Sequence, residues 1–372
     1  MASRAERLAH RTARRLLPPR HLWPFALPGA AAWHEARWRW RLLRTPVVTA
    51  DEHAARVGVA DREEVIGCDL CGERRVQPLF APRGERKPWT YQVVRCPTCG
   101  FLYRNPGIQP ARLGELYAGA GYGRFLAGKY ARERQRRYRL VLDGFHPLFA
   151  DGAGRRLLDF GCGAGLFLEL AHERGFDGHG VDLSPSAVRR ARRRPGGSKA
   201  YLGSPLDVPE VAAGGFDVIT LWSVMAHLAD PLADLRMLRG LLAPDGVLLV
   251  LTVNASSLLL KAQGSRWGGF TPNHLKFFSP ATLTRALHLA GFPAVVVEPM
   301  YTDPVESGSL RLRPRQERRL RRAIDRGNRG NMQRAVAFAA AGDPRRALLA
   351  QARPANGASS ASSSAIACSV SR

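Results

Sequence analysis

The chain has 372 residues, enough for about two domains with a sizeable core. Its net charge of +25 favours attraction to nucleic acid, anionic lipid or a phosphorylated substrate. Arg and Ala are abundant throughout the chain, however, so compositional drift also accounts for part of this charge. No run of 18 apolar residues is present, which excludes a transmembrane helix. The Arg-rich N-terminus lacks a secretory apolar segment, so we predict a cytoplasmic protein.

Residues 1–60 are basic and irregular, and we predict a poorly ordered extension. Within this extension, residues 31–44 have two interpretations, a short helix or a part of the poorly ordered chain. This stretch is rich in Trp and Arg and is compatible with a short basic helix that makes weak peripheral contact with an anionic membrane. The absence of a clean apolar stripe at helical spacing favours the extension.

Four of the six cysteines form two C-x-x-C-G motifs, at Cys68, Cys71, Cys96 and Cys99. Each motif is typical of a tight turn that points two thiolates at one ion, and two such turns complete a tetrahedral Zn²⁺ site. A closed four-thiolate site has no open position for a substrate, so the zinc should be structural. We assign 61–108 to a small zinc-ribbon-like module.

Residues 109–150 carry two helical patterns and are predicted to form a helical cap over the domain that follows. Leu113, Leu116 and Tyr117 share one helical face. Tyr122 lies in a glycine-flanked loop between the patterns, where it either orients a substrate or has a structural role.

At 157–168 an apolar run ends in Asp159 and is followed by glycines at alternate positions and then by a helical pattern. This order predicts a buried strand, a tight loop and a helix N-terminus, where the backbone can approach a ligand closely. A second predicted strand ends at Asp182, and an acid in that position can bind both hydroxyls of a ribose.

The G-x-G-x-G spacing with its two flanking acids resembles class I S-adenosylmethionine-dependent methyltransferases rather than nicotinamide-binding folds, whose fingerprint is G-x-G-x-x-G. The resemblance implies an α/β domain over 151–302, with a Rossmann-like seven-stranded sheet and helices on both faces. It also implies S-adenosylmethionine as cofactor, bound by Asp159, Gly161, Cys162, Gly163, Gly165, Asp182, Leu183, Asp207 and Trp222. For Asp207 a contact with the adenine amine and a simple turn-capping role remain equal alternatives.

The order of ribbon, cap and glycine loop resembles a subgroup of small-molecule methyltransferases, some of which methylate sugar nucleotides at carbon. A hydroxyl or carbon-acid acceptor needs a base, for which His is suited near neutral pH. His227 follows the fourth predicted strand, and His274 lies on a segment expected to cover the acceptor pocket. Either histidine can instead be structural. The family usually has Glu before the first of these histidines, whereas this chain has Ala226.

The predicted acceptor is a small molecule modified at carbon or oxygen, and the positive net charge of the chain favours an anionic one. Nucleic acid is disfavoured, because the [DN]-P-P-[YF] motif of base amino-methyltransferases is absent from 221–224 and no Cys nucleophile lies near the fourth or fifth strand. A nucleic-acid or protein methyltransferase that docks through the ribbon remains an alternative. So does a non-catalytic S-adenosylmethionine-binding protein.

The resemblance also implies a seventh strand, inserted antiparallel between strands five and six. No Val/Leu-rich run follows residue 305. Only 335–341 and 365–370 are candidates, and both are poor, so this last strand is doubtful. We predict that 303–372 is a basic and then Ala/Ser-rich tail, largely disordered.

Overall fold

The structure, a computed structural model, describes residues 30–81, 91–117, 130–143, 145, 148, 151–300, 318, 322–324 and 329–351. The strands of this part are β1 Val48–Thr49, β2 Glu63–Glu64, β3 Arg75–Phe80, β4 Val93–Arg95, β5 Leu102–Arg104, β6 Gly107–Ile108, β7 Arg156–Phe160, β8 Asp177–Asp182, β9 Ala200–Leu202, β10 Phe216–Trp222, β11 Leu242–Val253, β12 Lys276–Phe277, β13 Ala294–Met300 and β14 Met332–Phe338. Its helices are α1 Ala30–Arg44, α2 Ala50–Val57, α3 Tyr130–Asp143, α4 Leu166–Glu173, α5 Pro185–Ala191, α6 Pro209–Ala212, α7 Pro231–Leu241, α8 Leu258–Gln263, α9 Pro280–Leu289 and α10 Arg345–Gln351. Among these helices, none is both long and apolar enough to cross a membrane.

The central sheet has seven strands in the order β13-β14-β11-β10-β7-β8-β9. Every neighbouring pair is parallel except the two pairs that β14 makes. Successive residues of β7 enter two different cores, because Leu158 belongs to the core that contains residues of α7 and α9, while Leu157 belongs to the core that contains residues of α3 and α4. Helices therefore cover both faces, and the predicted Rossmann-like methyltransferase sheet is confirmed.

The seventh strand exists, and the doubt about it was wrong. β14 lies antiparallel between β11 and β13, and Ala337 is paired with Leu248 on one side and Val295 on the other. The alanines of β14 lie in one core and its larger residues lie in the other. Because alanine alternates with the larger residues, this strand is buried on both faces without the Val/Leu-rich run that such strands usually show. The buried Gln333 amide nitrogen donates to the Phe278 carbonyl at 2.8 Å and to the Val253 carbonyl at 3.2 Å, whereas its Oε1 has no hydrogen-bond partner among the described residues.

The described N-terminal residues, which were expected to be poorly ordered, form α1 and α2. α2 begins with a capping box in which Thr49 and Glu52 bond each other's backbone N–H groups. α1 lies against α8. Its Trp38 stacks on Phe80, with ring centroids 5.8 Å apart. Packing against the rest of the protein fixes these helices, which composition alone could not reveal.

A second, antiparallel sheet has the order β1-β3-β4-β5-β12 and surrounds the cysteine motifs. It extends beyond the predicted 61–108 module, because β12 comes from the methyltransferase part of the chain and pairs with β5. A buried ion pair joins the same two parts, with Lys276 Nζ 2.7 Å from Asp69 Oδ1. The cysteine module and the methyltransferase domain are therefore structurally continuous.

Candidate active site

The glycine loop between β7 and α4 lies at the carboxyl edge of the central sheet. Gly161, Gly163 and Gly165 all have positive φ values, of 74°, 53° and 75°. A Cβ atom at Gly161 would lie 2.6 Å from Val224 Cγ2, just beyond the end of β10. Cys162, between the first two glycines, is buried. The loop can therefore adopt this tight path only with glycine at its first position, and it contacts the segment that follows β10.

Asp182 links the glycine loop to the next loop. Its Oδ2 accepts a hydrogen bond from the Gly163 N–H at 2.9 Å, and its Oδ1 accepts one from the Ser184 N–H at 2.8 Å. Burial raises the pKa of this carboxyl, and the two N–H donors oppose that effect. Leu183, the neighbouring residue, is 40% exposed at the same edge. The carboxylate is thus held in a fixed orientation at the tip of β8.

A second carboxyl, that of Asp159, lies buried at the start of the glycine loop. Thr220 on the adjacent β10 donates from Oγ1 to Asp159 Oδ1 at 2.8 Å. Burial nevertheless raises the pKa of Asp159 to about 8. A cationic ligand group placed beside this carboxyl would favour its ionised form.

Trp222 ends β10 within an aromatic cluster. Its ring centroid lies 4.7 Å from that of Phe167 and 5.5 Å from that of Tyr138 on α3. The buried indole Nε1 has no hydrogen-bond partner among the described residues. Buried indole N–H groups usually find an acceptor, so this one is a donor available to a ligand.

Asp207, by contrast, is exposed and caps a short turn. Its Oδ2 accepts a hydrogen bond from the Ser204 N–H at 3.2 Å, which completes a capping box at Pro205–Asp207. The turn-capping alternative is therefore present in the structure. A contact with adenine stays a prediction that the geometry does not require.

His227 and His274 meet at the carboxyl end of β10. A backbone hydrogen bond from Leu275 N to Ala226 O, 2.6 Å long, brings the two segments together. The ring centroids of the two histidines are 4.7 Å apart and the rings are nearly perpendicular. His274 Nδ1 lies 2.6 Å from the Gly269 carbonyl oxygen and must carry its hydrogen there.

Tyr117 is the third member of this group. Its hydroxyl lies 2.9 Å from His227 Nδ1. Burial lowers the pKa of His227 to about 3, with a further contribution from the His274 ring. His227 is therefore neutral at physiological pH. Sequence reasoning assigned Tyr117 only to a helical face, while Tyr122, the tyrosine proposed to orient a substrate, lies outside the described residues.

The four cysteine thiols converge elsewhere, in the module formed by the second sheet. Their Sγ atoms all lie within 4.8 Å of one another. Cys68 Sγ is 3.4 Å from Cys99 Sγ, and Cys71 Sγ is 3.5 Å from Cys96 Sγ. Four thiolates about 2.3 Å from a tetrahedral Zn²⁺ lie roughly 3.8 Å apart, so the donor set and its spacing fit that ion.

Comparisons with known proteins agree with this geometry. The family model described as "Methyltransferase domain" matches residues 130–297. The ubiquinone biosynthesis O-methyltransferase of Psychrobacter arcticus is 30% identical over 166 residues, which cover 41% of this chain and 65% of that protein. That of Thiobacillus denitrificans is 32% identical over 164 residues, covering 41% of this chain and 71% of that protein.

A solved S-adenosylmethionine-dependent methyltransferase from Archaeoglobus fulgidus is also similar, with a TM-score of 0.41 and 21% identity over 56% of this chain and 94% of that chain. The chain spans slightly less than two thirds of the Psychrobacter relative. The region matched by the family model contains the glycine loop, Asp182 and both histidines. By sheet order, family model and relatives, the chain belongs to the class I S-adenosylmethionine-dependent methyltransferases.

Proposed function

We propose that this protein transfers a methyl group from S-adenosylmethionine to a hydroxyl or acidic carbon of a small molecule. The contact between the glycine loop and the segment after β10 carries the proposal. Gly161 approaches Val224 closely, and Val224 precedes His227 by three residues. A ligand on the glycine loop would therefore lie beside the Tyr117–His227 pair, at the sheet edge where open α/β sheets bind ligands.

The cofactor supplies a methyl group already activated on a sulfonium. The protein then has to bind the cofactor and the acceptor, orient them toward each other and take a proton from the acceptor. We assign Asp182 to the ribose, and the free indole N–H of Trp222 and the raised-pKa carboxyl of Asp159 to polar groups of the cofactor. These assignments fit the donors and acceptors that the site leaves available.

His227 is the proposed base. In its base-competent form, Nδ1–H donates to the Tyr117 hydroxyl oxygen at 2.9 Å and Nε2 takes the proton from the acceptor. A developing anion next to the ring raises the pKa of His227 and so favours the protonated product of that step. Tyr117 and His274 then act as positioning groups around His227.

Four further assignments complete the proposal. Zn²⁺ bound to the four cysteines has a structural role, because a closed four-thiolate set leaves no position for a substrate. The acceptor is a small metabolite rather than nucleic acid. The net charge of +25 favours an anionic acceptor. Arg104 and Lys276 do not supply a free positive charge for it, because Arg104 is paired with Glu63 and Lys276 with Asp69. The expected location is the cytoplasm.

Label transfer tests the function directly. Purified protein is incubated with S-adenosylmethionine carrying a labelled methyl group and with separate pools of small metabolites, RNA and protein. We expect label in the metabolite pool, and His227→Ala protein is the control for contaminating activity. Label in RNA or protein alone would favour docking through the ribbon. Cofactor binding without any transfer would favour a non-catalytic binding protein.

Asp182→Ala is expected to weaken S-adenosylmethionine binding by about 1–3 kcal/mol, because it removes the predicted ribose contacts and releases the Gly163 and Ser184 N–H groups. Titration calorimetry measures the change. Asp177→Ala is a matched control on the opposite end of β8, where the carboxylate pairs with Lys199 at the surface. Equal affinity of the wild-type and Asp182→Ala proteins would contradict the assignment.

A further inference from the structure

One face of α1 is unusually apolar for a solvent-exposed surface. Trp33 and Trp40 are each 56% exposed and Leu43 is 86% exposed. The opposite face is packed, since His34 is buried and Trp38 lies on Phe80. Two large exposed tryptophans on one ordered helix are therefore not explained by the packing of α1.

Each exposed tryptophan is paired with an arginine one turn later. The Arg37 guanidinium lies 5.0 Å from the Trp33 ring centroid, and that of Arg44 lies 4.6 Å from the ring centroid of Trp40. The second pair follows the first by seven residues, so both lie along the same side of the helix. We call the surface formed by Trp33, Arg37, Trp40, Leu43 and Arg44 the Trp–Arg face.

The charge on this face is positive and uncompensated by a carboxylate of α1. Glu35 is the single acid of that helix, and it is turned toward α8, with Oε2 2.6 Å from Lys261 Nζ and 3.1 Å from Arg329 Nη1. Arg37 is held in place as well, because its Nη2 donates to the Ala262 carbonyl at 3.2 Å. The arginines are thus presented together with the indole rings.

We propose that the Trp–Arg face docks on an anionic lipid bilayer surface. Tryptophan rings and arginines suit the boundary between headgroups and acyl chains, where the ring meets apolar carbon and the guanidinium meets phosphate. Nucleic acid fits less well, because an arginine already covers one side of each ring that a base would stack on. Docking would hold one side of the enzyme at the membrane without a spanning helix, and it does not depend on the proposed reaction.

Vesicle binding by the full chain tests this proposal. The protein is mixed with vesicles of pure phosphatidylcholine, or with vesicles in which a third of the lipid is phosphatidylglycerol, and the bound fraction is measured by sedimentation. We expect binding to the anionic vesicles only, quenching of tryptophan fluorescence by brominated phosphatidylglycerol, and weakening at high salt. Trp33→Ala/Trp40→Ala should lower the partition coefficient about tenfold or more and abolish most of the quenching.

Two controls address the overall positive charge of the chain. Arg189→Ser/Arg193→Ser removes exposed arginines from the region around α5, and Leu289→Ala removes an exposed apolar residue from α9. Both should bind vesicles like the wild type. Circular dichroism establishes that the tryptophan variant is folded. Unchanged vesicle binding by that variant, equal binding to neutral vesicles, or loss of lipid binding in favour of an RNA competitor would overturn the proposal.

Discussion

Replacing His227 by Ala is expected to lower kcat by about a hundredfold or more and to leave the affinity for S-adenosylmethionine unchanged. The reason is that the ring, paired with Tyr117, follows closely on the segment that contacts the glycine loop, where we propose that the acceptor binds, and is neutral because burial lowers its pKa. Steady-state kinetics with the identified acceptor and calorimetry with the cofactor measure the two quantities. A structural histidine would instead reduce stability, cofactor affinity and rate together.

Two further variants sharpen this experiment. His227→Gln keeps a side chain that can hydrogen-bond Tyr117 but cannot take the proton, so it should be as slow as the Ala variant. His172→Ala removes an exposed histidine on α4 and should retain full activity. Nearly full kcat for His227→Gln would show that the base lies elsewhere and would direct attention to His274.

Replacing Cys68 by Ser is expected to lower the free energy of unfolding by about 4 kcal/mol or more, because binding of a structural metal contributes directly to folding. A lowering of Tm by about 8 °C or more should accompany it. Wild-type protein should contain one Zn²⁺ per chain by elemental analysis, and a chelator should lower its Tm to that of the variant.

Cys162→Ser is the matched control for zinc, since Cys162 is also buried but lies in the glycine loop far along the chain from the cysteine motifs. It should keep one Zn²⁺ per chain. Freshly purified wild-type protein without zinc would contradict the metal assignment. A chelator that abolishes turnover while leaving Tm unchanged would contradict the structural role.

Local chemistry made the glycine loop and the cysteine motifs predictable. The alternating glycines, the acid at the end of β8 and the two C-x-x-C-G turns each carry their signal within a few residues. For the same reason the predicted strand ends at Asp159 and Asp182 agree within one residue with the observed ends of β7 at Phe160 and of β8 at Asp182. A local pattern does not reveal that one residue has a second role. Asp182, for example, also accepts hydrogen bonds from the backbone of both adjoining loops.

Other features depend on distant parts of the chain. Tyr117 and His227 are 110 residues apart, and they meet where the cysteine module joins the methyltransferase domain through β5 and β12. No pattern around Tyr117 reveals that partner. The helix at 31–44 was considered but disfavoured, because tryptophans occupy both the packed and the exposed faces of α1 and hide the stripe that marks an ordinary amphipathic helix.

The position of β14 has a consequence for synthesis of the protein. β11 and β13 do not pair with each other, and the strand that joins them, β14, follows both in the chain and ends at Phe338. On the ribosome, β11 therefore presents an open edge until Phe338 has emerged, although the glycine loop and its neighbours were made long before. Such an edge can pair with other chains, so the nascent protein depends on rapid arrival of this last strand to avoid aggregation.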